Sequence, residues 1–74
     1  MEAKIKEIVN EIRAGKGQKP ISELSDTLRL REDLGLASFD LAELTVKIED
    51  EFDIDIFEDG LVNTIGEIYA KLSK

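Results

Sequence analysis

The 74-residue sequence predicts an all-α domain of three main helices and one short helix or turn, with a long ordered loop between helices one and two. Two observations carry that prediction. Apolar residues recur at helical spacing in three separate stretches, and glycine, proline and serine punctuate the segment between the first two.

Ile5, Ile8, Val9 and Ile12 stand at i, i+3, i+4 and i+7, one face of an amphipathic helix, and Gly15 and Gly17 follow where it should stop. Helix one is therefore expected over residues 2–14. Residues 15–37 hold Gly15, Gly17, Pro20, Ser22, Ser25 and Gly35 among Ile21, Leu24, Leu28, Leu30 and Leu34. Structureless loops beyond about 12–15 residues are functional or disordered, and the spaced leucines argue for order. A short helical turn is expected at residues 21–25.

Leu41, Leu44, Ile48 and Phe52 mark one face of helix two over residues 38–52, with Asp40 and Glu43 in the first turn, where the dipole favours anions. The acidic stretch 53–63 carries Ile54, Ile56, Phe57, Leu61 and Val62, enough for a strand-like link and one helical turn. Thr64 and Glu67 form a capping box, and Ile65, Ile68, Tyr69 and Leu72 continue it as helix three. Neither a repeat nor a second domain is visible, so residues 1–74 read as one domain. At this size a domain buries only about 60% of its unfolded surface, so its stability is expected to be marginal.

Composition narrows the function. The chain has no cysteine and no histidine, which removes disulfides, thiolate chemistry, the commonest general base and the commonest zinc ligand. No two carboxylates stand out as a matched acid and base, so the bare polypeptide is expected not to be an enzyme. Its net charge of −7 is uneven: residues 32–59 hold one basic residue, Lys47, against eleven acidic ones. Such a segment repels nucleic acid and anionic lipid and suits a basic protein partner. The N-terminus opens into an amphipathic stretch and no apolar run approaches bilayer length. A cytoplasmic monomer without membrane insertion is the expectation.

On helix two, Phe39, Ala42 and Val46 fall roughly 100–160° from the Leu41, Leu44, Ile48 and Phe52 sector, with Glu43, Glu49, Asp50 and Asp53 beside them. Single exposed apolar residues are ordinary, whereas an aligned strip more often marks a docking surface. Glu49, Asp50 and Glu51 crowd the negative end of the helix dipole, and Glu49 opposes Asp53 at i+4. Carboxylates that destabilise their own helix point to outside use, by the basic rim of a partner or by a divalent cation. Asp53, Asp55 and Asp59 invite a calcium-loop reading, but Phe57 and Glu58 occupy positions that such a loop needs for a ligand and a glycine.

Ser38 opens helix two. A plain N-cap is the ordinary reading of a serine there. The position also suits a phosphodiester, because helix N-terminal amides stabilise a bound phosphate and a hydroxyl at a loop end is reachable. With no base beside it, Ser38 would be modified by another protein rather than react on its own account.

The run Asp33-Leu34-Gly35-Leu36-Ala37-Ser38-Phe39-Asp40-Leu41, followed by Glu43-Leu44 and Glu49-Asp50-Glu51-Phe52, resembles the acyl carrier protein family over nearly the whole chain. The resemblance implies a small four-helix bundle. It also implies that Ser38 takes phosphopantetheine from coenzyme A through a phosphopantetheinyl transferase, and that the arm's thiol carries acyl groups as thioesters. Phe39, Ala42 and Val46 match the family's exposed apolar docking positions; Asp40, Glu43, Glu49 and Asp50 match its acidic ones. The implied partners are acyl-loading and acyl-processing enzymes with basic docking surfaces, and the implied acyl pocket holds Leu34, Ile48, Ile56 and Ile68.

The pattern departs from the family at Ala37, usually Asp, at Phe39, usually Leu, and at Phe57, where Pro is common; residues 52–64 are also short. These departures put a specialised acyl pathway beside fatty-acid and polyketide synthesis. The competing expectations are a peptidyl or D-alanyl carrier, and a non-carrier helical interaction domain in which Ser38 is only an N-cap.

Overall fold

A computed structural model describes residues 1–73, which form three helices: α1 (Glu2–Gly15), α2 (Ser38–Phe52) and α3 (Ile65–Leu72). Their bounds agree with the sequence expectation to within a residue. No strand occurs among the described residues; the one extended pairing is an isolated antiparallel bridge between Arg29 and Thr64.

Each helix buries the stripe its spacing dictates. Ile5, Ile8, Val9 and Ile12 from α1 meet Leu44 and Ile48 from α2 and Ile65 and Ile68 from α3 in one cluster. Leu30, Leu34 and Leu36 complete it from the segment before α2, and Ile56 and Val62 from the segment after it. Leu41 and Phe52, at the margin of the same α2 face, are half-buried against this core. Fully burying an aliphatic side chain is worth ~1.5–3 kcal/mol, so this cluster is the main stabilising term.

The segment between α1 and α2 is held at three places. Asn10 reaches from α1 to Ile21, donating from Nδ2 to its carbonyl at 3.0 Å and accepting its amide on Oδ1 at 2.7 Å. Both backbone groups of Ile21 are thereby satisfied without a helix, and the helical turn expected at residues 21–25 does not form. Residues 26–30 run against the N-terminal end of α3: Leu30 N donates to Asn63 O at 2.8 Å, Ile65 N to Leu28 O at 3.0 Å, and Gly66 N to Asp26 O at 2.9 Å. The third attachment, at residues 34–40, belongs to the site.

A fourth helix is not seen among the described residues. Residues 56–59 form turns instead. The Asp55 carboxylate takes the amide of Phe57 at 2.9 Å, and side-chain capture of a nearby amide competes with helical pairing. A stretch this short also cannot offset the cost of helix nucleation. Ile56 is driven into the core regardless.

α3 begins with the expected capping box: Glu67 N donates to Thr64 Oγ1 at 3.2 Å and Thr64 N to Glu67 Oε1 at 3.0 Å. Among the described residues no helix is long and apolar enough to cross a membrane, and no group of acidic residues is placed to hold a metal ion.

Candidate functional site

The chain enters α2 through a tight set of turns. Asp33 N and Leu34 N both donate to Arg29 O, Gly35 N to Arg31 O, and Leu36 N to Leu30 O, at 3.0–3.1 Å. Gly35 adopts φ +71°, a left-handed conformation that side chains disfavour, which accounts for glycine there. Leu34 and Leu36 point into the core on either side of it.

Two cations at the end of α1 fix this turn from outside. Arg13 Nη1 donates to Leu34 O at 2.6 Å, while its Nε and Nη2 hold Lys19 O. Lys16 Nζ donates to Gly35 O at 2.7 Å and to Asp40 Oδ2 at 2.5 Å. The same Asp40 oxygen accepts Ala37 N at 2.8 Å. Nothing in the sequence pattern singles out Arg13 or Lys16; their partners in this turn, Leu34, Gly35 and Asp40, lie 19–24 positions away, beyond the reach of local spacing.

Asp40, expected among the docking carboxylates, is consequently engaged within the domain rather than displayed on the outer face of α2. It is 8% exposed, turned inward at the third helical position, where it closes the N-terminus of α2 from within. The Lys16 hydrogen bond and then the Ala37 amide hold its carboxyl below the usual carboxylate range. Asp33 is likewise held low, first by the Arg29 side chain and then by the Arg29 amide.

Ser38 is exposed and stands one position inside the helix, because Ala37 has the extended N-cap backbone (φ −88°, ψ 176°). The ordinary reading of such a serine as a plain N-cap does not hold here, where Ala37 is the N-cap. A residue at this position already has helical backbone angles, unlike the extended N-cap whose side chain accepts from the N2 or N3 amide. The hydroxyl oxygen accepts from Arg31 Nη2 at 3.0 Å instead. Ala37 offers no side-chain acceptor, so the opening amides of α2 have no side-chain cap in front of them.

Along α2 from Ser38, Phe39 is 80% and Val46 67% exposed, and Ala42 is exposed between them. Glu49 and Asp50 are exposed and Glu43 is half-buried; none of the three forms an ion pair among the described residues. Their neighbours Lys47 and Glu51 are committed to α1, through Glu11 at 3.8 Å and Lys4 at 3.1 Å. Leu61, 85% exposed, is a further apolar side chain that sequence spacing does not mark. Leu34, Ile48, Ile56 and Ile68 are all fully buried members of the single core.

No curated protein and no solved structure matches the chain. The family model described as the phosphopantetheine attachment site matches residues 4–72, which takes in all but the first two residues of α1, the whole of α2 and α3, and the turn that presents Ser38. Domains of that kind are generally non-catalytic and meet a phosphopantetheinyl transferase and the enzymes of their pathway. The chain belongs to this phosphopantetheine-carrying family, consistent with its resemblance to acyl carrier proteins, and its prosthetic group is covalently held phosphopantetheine.

Proposed function

We propose that the protein is an acyl carrier in which Ser38 bears the phosphopantetheine arm. The observation that carries this reading is the Ser38 hydroxyl itself: exposed, at the opening of α2, and not engaged in capping the helix. The surroundings fit a phosphodiester on that oxygen. The early amides of α2 have no side-chain acceptor, and the carboxylate nearest in sequence, Asp40, is already paired with Lys16, as Asp33 is with Arg29.

The arm supplies a thiol able to hold acyl groups as thioesters, a nucleophile that a chain without cysteine or histidine lacks. The protein's own residues do the rest. Arg13, Lys16 and Asp40 hold the turn at residues 34–37 in one conformation, so the hydroxyl is presented on a fixed support. Phe39, Ala42 and Val46 offer apolar surface to a partner enzyme, and Glu43, Glu49 and Asp50 meet its basic rim. Leu34, Ile48, Ile56 and Ile68 are the side chains among which an acyl chain would be sheltered, and their tight burial means that they must part to admit it.

Incubation with coenzyme A and a broad-specificity phosphopantetheinyl transferase should add one phosphopantetheine by intact mass, and Ser38→Ala should abolish the addition. Failure of the unaltered chain with several transferases would favour a helical interaction domain without cargo. The unpaired acids of α2 favour an acyl over a peptidyl or D-alanyl cargo; loading by acyl but not aminoacyl donors tests this.

A further inference from the structure

We propose that Arg31 is the phosphodiester-pairing residue of this carrier, moving from the Ser38 oxygen onto the phosphate once the arm is attached. The inference rests on Ser38 being the attachment point and goes beyond it.

Three observations converge on Arg31. Its Nη2 is already 3.0 Å from Ser38 Oγ, the atom that would become the phosphate ester oxygen. A guanidinium has five donors in a planar fork suited to phosphate oxygens, so a shift of one bond length or so suffices. Second, its charge is locally uncompensated. In a chain of net charge −7, Arg31 forms no ion pair among the described residues, because the adjacent acids Glu32 and Asp33 both turn to Arg29, at 3.9 and 3.0 Å. Third, its backbone is fixed: Arg31 O accepts Gly35 N at 3.1 Å, within the turn that α1 pins.

The surroundings of Ser38 are thus cationic within an acidic domain. Ala37 brings no charge, Asp40 is neutralised by Lys16, and Arg31 faces the hydroxyl. A phosphodiester introduced there gains a charge-assisted partner, and the nearest carboxylate in sequence, Asp40, is already held by Lys16.

The test is a thermodynamic cycle on unloaded and loaded protein, each confirmed by intact mass, for the unaltered chain, Arg31→Gln and Arg31→Lys. The Tm difference between loaded and unloaded forms should fall by about 2–6 °C in Arg31→Gln and be partly kept in Arg31→Lys, with the unloaded forms differing little. An unchanged difference in Arg31→Gln overturns the pairing while leaving the carrier reading intact. Absence of any mass increase in the unaltered chain overturns both. Should Arg31→Gln resist loading, the Nε–H resonance of Arg31 in the unaltered protein decides. It should shift on loading, and a resonance that stays in place refutes the pairing.

Discussion

Lys16 Nζ stands 2.5 Å from Asp40 Oδ2, and the same oxygen accepts the amide of Ala37 at 2.8 Å. One carboxylate thus joins the end of α1 to the start of α2, directly under the residue that presents Ser38. An acid expected at the docking surface is engaged in holding the turn before Ser38 in place.

This link predicts a specific acid sensitivity. Asp40 has a folded-state pKa depressed by Lys16 and the Ala37 amide, so the unfolded chain binds its proton more readily. The stabilisation is complete above the unfolded carboxylate pKa of ~3.9 and is lost as pH falls through that value towards the folded one. Urea midpoints measured from pH 7 to pH 2 should therefore decline less steeply below about pH 4–5 in Asp40→Asn than in the parent, the two curves converging in acid. Parallel curves would show that the Lys16 link contributes nothing to stability.

Gly66 sits in the first turn of α3, where helix propensity alone favours alanine by ~1 kcal/mol. A Cβ there, however, would lie 3.0 Å from the Asp26 carbonyl oxygen and 3.1 Å from Asp26 Cβ. Backing away would stretch the Gly66 N to Asp26 O bond, 2.9 Å, that ties the long segment to α3. Overcrowding costs ~1–3 kcal/mol and outweighs the propensity gain. Gly66→Ala should lower stability by about 1 kcal/mol in chemical denaturation; a gain would mean that the segment yields easily.

Asp53 ends α2 in the left-handed region, φ 60°, with its amide on Glu49 O at 2.8 Å. It is a carboxylate at the negative end of the dipole, four residues from Glu49, in a conformation that glycine adopts freely. Asp53→Gly removes all three penalties at the expense of some chain entropy. The expected net gain is about 0.5–1 kcal/mol, roughly 2–8 °C in Tm, with modification of Ser38 unaffected. A lower Tm would mean that the exposed carboxylate has a stabilising partner.

How much of this was legible in the sequence depends on range. The α1 stripe, the Leu44 and Ile48 face and the Thr64 and Glu67 box all follow from spacings of three and four, and the structure has them as expected. The inward turn of Asp40 was not legible, because the usual box signal needs a hydroxyl at the N-cap and Ala37 has none; its other partner, Lys16, is 24 positions away. Asn10 holding Ile21 open, and residues 26–30 lying along the start of α3, are likewise contacts between distant residues with no local period. Ser38 was legible as the opening residue of α2, but whether it stands at the cap or one place inside was not, since helix ends are uncertain by a residue or two.

The two faces of α2 should separate cleanly under substitution. Leu44 is fully buried, and Leu44→Ala should cost ~2–5 kcal/mol, comparable with the ~3–5 kcal/mol a core of this size supplies, leaving much of the protein unfolded. Phe39 and Val46 lie in solvent, so Phe39→Ser and Val46→Ser should each change stability by no more than about 0.5 kcal/mol. If that strip receives partner enzymes, the same two changes should weaken transferase binding by roughly fivefold or more, a loss of ~1 kcal/mol. Charge removal at Glu49 and Asp50 should act differently, slowing association at low salt and mattering less as salt rises. Calorimetry for stability and stopped-flow association for docking distinguish these effects. A surface substitution that unfolds the domain, or one that leaves transferase affinity untouched, would remove this face of α2 from the docking role.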